Sequence, residues 1–275
     1  MQSKKGLAVI TGATSGLGLA YAEYWASHGY DLIITGRREE LIKANAARIQ
    51  AEYGCSVWVC IAELSNEQGV NHLIDFIGSR DVSVLVNNAG FVLKTEFIDT
   101  KYCDIDRLLY LQIMSVTKLT YFVLQKMKQR NEGTIINISS DGAFAVVPKN
   151  VIYSSSKLYI VNFTEGLHME LMNYNIKLQV VCPGFIDSDF HERAGMRVDK
   201  TREGIFRFYK PMDVVNSAMN DLRKNIIVCV PDKGGKLIRF IGKYMPRKIF
   251  YRYAAKFAIN AAKKRVSQRK TSRQP

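Results

Sequence analysis

The chain predicts an α/β fold in which one doubly wound parallel sheet of about seven strands carries helices on both faces. Two observations predict it. Seven short runs rich in β-branched residues alternate with longer segments whose apolar residues recur at helical spacing, the pattern of strands joined by crossover helices. The runs are also almost continuously apolar, as strands covered on both sides must be.

The runs are GLAVIT (6–11), DLIIT (31–35), SVWVCI (56–61), VSVLV (82–86), GTIINIS (133–139), KLQVVC (177–182) and IIVCV (226–230). At 275 residues and 47% hydrophobic content the chain can bury one sizeable core, and residues 1–232 read as that single domain. Residues 185–210 hold no clear strand and many charges; directly after the sixth strand they form a candidate lid. Nowhere do about 18 apolar residues follow one another, so no membrane-spanning helix is expected. The amino terminus runs almost at once into the first strand, without the separate apolar stretch of a secretion signal. Cys55, Cys60, Cys103, Cys182 and Cys229 lack metal-ligand spacing. No metal site is expected, and they read as reduced, mostly buried thiols of a cytoplasmic protein.

The formal charge of +14 is concentrated in one place. Fourteen of the 39 Lys and Arg follow Asp232, where there is no Asp or Glu; the other 25 match the 25 acidic residues. A neutral body thus carries a basic extension, residues 233–275. Pro246 should split its helix. Beyond it, Ile249 or Phe250, Tyr253, Phe257 and Ala261 form an apolar stripe beside a basic one of Lys248, Arg252 and Lys256. Such a helix fits an anionic membrane surface. Docking on the protein's own body, a dimer contact and disorder of the last ten residues are the rival expectations. No DNA-binding motif accompanies the charge, so nucleic acid is not an expected partner.

The turn after the first strand, TGATSGLG, holds Gly12, Gly16 and Gly18, with Thr14 and Ser15 between them. Gly12 permits a tight turn, Gly16 lets backbone approach a pyrophosphate, and Gly18 lets the first helix pack on its strand. The helix amino terminus then favours the anion. This is the expectation for a Rossmann-type dinucleotide site. The second strand ends in TGRREE, with Gly36 where an acid would hold a ribose 2′-hydroxyl, followed by Arg37 and Arg38. An absent acid and a present base both point to a 2′-phosphate, hence to NADP(H) over NAD.

Tyr153 and Lys157, in VIYSSSK, stand one helical turn apart and can face one site, although the spacing alone is common. They have company. NNAG (87–90) follows the fourth strand, INISS (136–140) ends the fifth, and CPG (182–184) follows the sixth. With TGATSGLG, this ordered set resembles the short-chain dehydrogenase/reductase superfamily over about residues 6–230.

The resemblance implies a ketone–alcohol oxidoreductase and roles for individual residues. Tyr153 is the acid/base, Lys157 its activator and a ligand of the nicotinamide ribose, and Ser140 a donor to the substrate oxygen; Ser139 is one residue off the family spacing. Asn88, Ala89 and Gly90 support the adenine ribose and the central sheet. Pro183, Gly184 and Ile186 border the nicotinamide, with Ser188 on its carboxamide. Gln112 stands where relatives often have an asparagine that holds a relay water, and Glu63 replaces an aspartate near the adenine. A homo-oligomer is also implied.

Tyrosine needs help for this chemistry, its ordinary pKa being about 10. An ammonium about 4 Å away at an effective dielectric of about 20 gives roughly 4 kcal/mol of attraction, enough to lower the phenol by up to about 3 pKa units. Phe185, Phe190, Ile205, Phe206 and Phe208 in the candidate lid point to a hydrophobic substrate, sterol-like or a fatty 3-oxoacyl thioester. The rival reading is an NADP-binding sensor or scaffold without turnover, for which Gln112 alone speaks.

Overall fold

A computed structural model describes residues 5–93, 95–146, 151–188, 190, 203–252 and 254. Its strands are β1 (Leu7–Thr11), β2 (Asp31–Gly36), β3 (Val57–Ile61), β4 (Val82–Asn87), β5 (Gly133–Ile138), β6 (Ile176–Val181) and β7 (Val228–Cys229). All pair in parallel, in the order β3-β2-β1-β4-β5-β6-β7. The predicted doubly wound sheet is the one observed.

The helices are α1 (Gly16–Ser27), α2 (Glu39–Tyr53), α3 (Glu67–Ile77), α4 (Tyr102–Leu109), α5 (Ser115–Arg130), α6 (Val151–Glu170), α7 (Pro211–Arg223) and α8 (Lys233–Tyr244). Because successive strand residues point to opposite faces, each central strand feeds two cores. Ala8, Ile10, Leu32, Ile34, Val84 and Val86 meet α1, α2 and α7. Leu7, Val9, Ile33, Leu85 and Ile135 meet α3 and α5 on the other side. The helix ends follow local chemistry. Asn66 caps α3 by accepting the Gly69 N–H at 2.9 Å, Gly54 ends α2 at φ +67°, and Pro211 opens α7.

At the reversal of strand order, β1 and β4 are tied by one hydroxyl. Thr11 Oγ1 accepts the N–H groups of Asn88 (2.9 Å) and Ala89 (3.0 Å), while the Asn88 side chain donates to the Thr11 and Gly12 carbonyls at 2.9 and 3.1 Å. Deeper in the sheet, Asn87 donates to Asn137 and Thr120, and Asn137 donates to Thr164 of α6. These bonds fix β4, β5, α5 and α6 relative to one another.

The segment read as a lid is described only at its two ends; residues 189 and 191–202 lie outside the described residues. The ends close on each other through the backbone, Asp187 N–H donating to Tyr209 (2.9 Å) and Tyr209 N–H to Phe185 (3.0 Å). The basic region begins with α8, capped by Asp232, whose carboxylate accepts from Gly235 at 2.6 Å. The face of α8 bearing Gly234 and Gly242 lies against Ile205–Phe206 and against Phe144, so close that a Cβ at either glycine would collide. The helix stops at Tyr244, and 247–252 resume it after Pro246. Phe250 is buried and Ile249 exposed; Tyr253, Lys256, Phe257 and Ala261 lie outside the described residues.

Thr11→Val should therefore destabilise out of proportion to its size. It leaves the partly buried N–H groups of Asn88 and Ala89 without their acceptor, at about 1 kcal/mol each. Urea denaturation is the check, with Thr11→Ser, which keeps the hydroxyl, expected to lose much less.

Candidate active site

A cleft of about 370 Å3 opens at the carboxyl ends of the strands, where open parallel sheets bind ligands. Gly12, Thr14, Ser15, Gly16, Arg37, Arg38, Glu63, Asn88, Ala89, Gly90, Ser140, Tyr153, Lys157, Pro183, Gly184, Ile186 and Ser188 all line it. Gly18 and Gln112, also singled out in the sequence, do not.

The glycine loop forms one wall. Gly12 (φ +67°) leaves room for Ala89 Cα and the Asn88 amide, each 2.9 Å from where a Cβ would stand. Gly16 (φ +60°) faces Ser188, whose Cβ would lie 3.0 Å away. Gly18 sits behind them, against Gly12 and Asn88, and works through helix–strand contact.

At the end of β2, a Cβ on Gly36 would press on Thr14 Cγ2 at 2.6 Å, so any side chain at this position would require Thr14 to shift. Arg38 turns back over the glycine loop and donates to Thr14 Oγ1 (2.7 Å) and Ser15 Oγ (2.9 Å). Arg37 pairs with Glu63 at 2.9 Å, and Arg107 approaches the same carboxylate at 3.7 Å. Burial pushes the Glu63 carboxyl up, but the bonds from Arg37 and Ser65 outweigh it and hold the group below the usual range.

The other wall is built by β5 and α6. The Lys157 side chain crosses to the end of β5, where its amine donates to the Ile138 carbonyl at 3.0 Å. Ser139 returns the tie by donating to the Lys157 carbonyl at 2.7 Å. That bond faces Ser139 toward the α6 backbone, and Ser140 is the serine that meets Tyr153, by a side-chain hydrogen bond. The Lys157 amine lies 5.6 Å from the centre of the Tyr153 ring, on the same helix face.

The electrostatics differ from the simple expectation of a lysine that lowers a tyrosine. Lys157 is only 5% exposed, and burial pulls its pKa down to about 8. Burial pushes the Tyr153 phenol up to about 12, against the pull of the Ser140 hydrogen bond. Desolvation wins because the amine is held at the Ile138 carbonyl rather than at the phenol oxygen. The pair therefore starts as a protonated phenol beside an amine that holds its proton loosely.

Gln112 stands just behind, in a π-helical turn (Tyr110–Met114) between α4 and α5. Its amide donates to the Phe91 carbonyl at 2.5 Å and its oxygen accepts from Ser156 at 2.9 Å. A Cβ on Gly90 would be 3.7 Å from both the Gln112 amide and the Lys157 amine. The π turn, common at functional sites, brings the side chain beside the lysine although it does not reach the cleft.

Sequence reasoning passes over Asp141 and Asp232. Asp141 lines the cleft and accepts from Ser140 at 3.1 Å. Asp232 accepts from the Gly184 N–H at 2.9 Å. Burial, then the charge of Asp232, raises Asp141 to about 6. An acid directly after the serine was the only signal in the sequence.

A family model described as short chain dehydrogenase matches residues 6–198. The chain is 33% identical over 198 residues to a very-long-chain 3-oxoacyl-CoA reductase of Anas platyrhynchos, covering 70% of this chain and 64% of that protein. It is 31% identical over 199 residues to 17-beta-hydroxysteroid dehydrogenase type 3 of Mus musculus, covering 71% and 65%. The matches thus span less than two thirds of either relative. A solved short-chain dehydrogenase from Sphingobium yanoikuyae in complex with NADPH aligns with a TM-score of 0.77 at 26% identity, covering 96% of this chain and 95% of that one.

The buried amine has a signature in stability. The unfolded chain keeps the lysine proton to its ordinary value of 10.5, whereas the folded chain releases it near about 8. Between these values the unfolded state binds more protons, so stability rises with pH. Melting curves from neutral to alkaline pH should show wild type gaining on Lys157→Met across that window, with the difference between them constant below it.

Proposed function

The chain belongs to the short-chain dehydrogenase/reductase family, and from that premise we propose an NADP(H)-dependent oxidoreductase that interconverts a ketone and a secondary alcohol on a hydrophobic substrate. The observation that carries the reading is the meeting of Ser140, Tyr153 and Lys157 in one cleft with the glycine loop.

When bound, the nicotinamide cofactor supplies or accepts the hydride. The chain's own residues manage the proton. Tyr153, raised to about 12, is protonated at neutral pH and is suited to giving its proton to a ketone oxygen. Ser140 hydrogen-bonds the same oxygen and stabilises the negative charge that develops there. Lys157, lowered to about 8, can return a proton to the tyrosinate, and its amine also suits the ribose hydroxyls. In alcohol oxidation the proton runs the other way. NADP(H) over NAD(H) is supported by the glycine at position 36 in place of an acid and by Arg38 on the Thr14 and Ser15 hydroxyls, with Arg37 next to it in the chain on Glu63, a setting for a 2′-phosphate. The fit is a property of the loop: the positive φ of Gly12 and Gly16, and their close approach to Asn88–Ala89 and to Ser188, leave no place for a Cβ.

The substrate is of sterol or 3-oxoacyl type. The relatives carry the names of such substrates, and the described lid ends offer Phe185 and Phe208 with ring centres 5.4 Å apart and exposed Ile205 and Phe206. The basic region extends the reading to an anionic membrane surface. On α8, Leu237, Phe240 and Tyr244 share one face and are 42%, 61% and 63% exposed, flanked by Lys233, Lys236 and Lys243. The opposite face is spent on the protein's own body. A surface that is apolar and cationic with no acid from 233 onward matches an anionic bilayer.

Two outcomes are expected. In an NADPH-oxidation screen over sterol ketones, 3-oxoacyl thioesters and small ketones, Tyr153→Phe should lower turnover about 10²–10⁴-fold while NADPH still binds. Equal, negligible rates for both forms with NADPH bound would favour the silent sensor instead. In co-sedimentation with phosphatidylglycerol vesicles, Phe240→Glu combined with Tyr244→Glu should release the full-length protein. Neutral phosphatidylcholine vesicles should bind it far less.

A further inference from the structure

Ser140 has one proton and more than one acceptor. Its oxygen accepts the Gly142 N–H at 3.1 Å, and its hydroxyl donates to Asp141 Oδ1 at 3.1 Å. The same hydroxyl is hydrogen-bonded to Tyr153. A hydroxyl held by a carboxylate is not free to be given to a substrate oxygen or to a tyrosinate. The residue beside the serine therefore decides what the serine can do.

Asp141 is placed against a second acid. A Cβ on Gly184 would lie 3.2 Å from Asp141 Oδ2 and 3.1 Å from Asp232 Oδ1, so the two carboxyl groups close around one glycine. Asp232 is buried, and its two oxygens are already held by the N–H groups of Gly184 and Gly235. With those oxygens so held, the cost of placing the two carboxyl groups together shows at Asp141. The other titratable groups that feel Asp141 are Tyr153 of α6 and Cys182 after β6, and Cys182 in turn faces Lys157 of α6 and Arg239 of α8. Arg239 stacks on Phe144, its guanidinium carbon 5.7 Å from the ring centre.

We propose that Asp141 is a positioning residue that sets the direction of the Ser140 hydroxyl, with Asp232 tuning it across Gly184. When Asp141 is ionised, Ser140 gives its proton to the carboxylate. When Asp141 takes up a proton, its O–H donates to Ser140 Oγ, and the serine's one hydrogen is free to turn to the substrate oxygen. One proton is bound at Asp141 and no bond to carbon changes; the reductive direction gains a donor as the pH falls. The role in catalysis rests on the hydride-transfer reading above, whereas the link between the two side chains does not.

The test has two arms. The first needs no substrate: NMR titration of 13Cγ-labelled aspartate should find Asp141 with a midpoint near about 6, higher in Ser140→Ala, which removes the donor, and lower in Asp232→Asn, which removes the like charge. The second follows reductive kcat/KM against pH with acetoacetyl-CoA, a small 3-oxoacyl thioester. Wild type should gain about tenfold, the worth of one hydrogen bond, as the pH falls through the NMR midpoint. Asp141→Asn, whose amide donates to Ser140 permanently, should stay at the low-pH level throughout. An Asp141 midpoint unmoved by Ser140→Ala, or a pH limb that persists in Asp141→Asn, overturns the proposal. If neither wild type nor Tyr153→Phe reduces any ketone, the functional reading fails, and the first arm still decides the Ser140–Asp141 link.

Discussion

The site depends on one buried cation. An ammonium taken from water must find partners in the protein, and Lys157 finds the Ile138 carbonyl, the last of β5. Ser139 donates back to the Lys157 carbonyl, so strand and helix are tied in both directions. With α6 fixed at that level, Tyr153 one turn earlier meets Ser140 at the start of the next loop. The chemistry follows from the cost of burial: the amine yields its proton early and the phenol keeps its own late. In this arrangement the lysine amine is held at the strand end and loosens its own proton, and the phenol beside it is not lowered.

The dinucleotide side is built by the same economy of contacts. The Thr11 hydroxyl and the Asn88 side-chain amide join β1 to β4, which leaves the glycine loop to curve over the strand ends. Arg38 then reaches across to the loop hydroxyls, while Arg37 is held by Glu63. Cofactor preference in this reading comes from a glycine, pressed against Thr14, where an acid would stand, together with the arginines that follow it. The basic α8 belongs to the same neighbourhood. Its glycine face packs on the loop after Ser140, and its cap, Asp232, holds Gly184 of the cleft floor.

Much of this was legible in the sequence because it is local. Strand positions follow from short apolar runs, and all seven appear where the pattern puts them. Residues that act through ordered motifs, from Gly12 to Ser188, come together in one cleft for the same reason. What was not legible depends on residues far apart in the chain. The Asp141–Asp232 pair joins positions 91 apart, and only packing around Gly184 brings them together. The π turn at Gln112 has no compositional mark, and its consequence, an amide beside Lys157, needs the fold. The raised phenol reflects how water is excluded, which spacing along a helix does not report. The docking of α8 through Gly234 and Gly242 was likewise hidden by a composition that reads only as basic and amphipathic.

The central claim is that folding loosens the proton of Lys157 by taking its amine out of water next to Tyr153. Lysine labelled with 13C at Cε reports that directly, with Lys157→Met identifying the signal. The account predicts one lysine that titrates near about 8, well below its exposed counterparts. A Lys157 signal that titrates with the exposed lysines, above about 10, would contradict it.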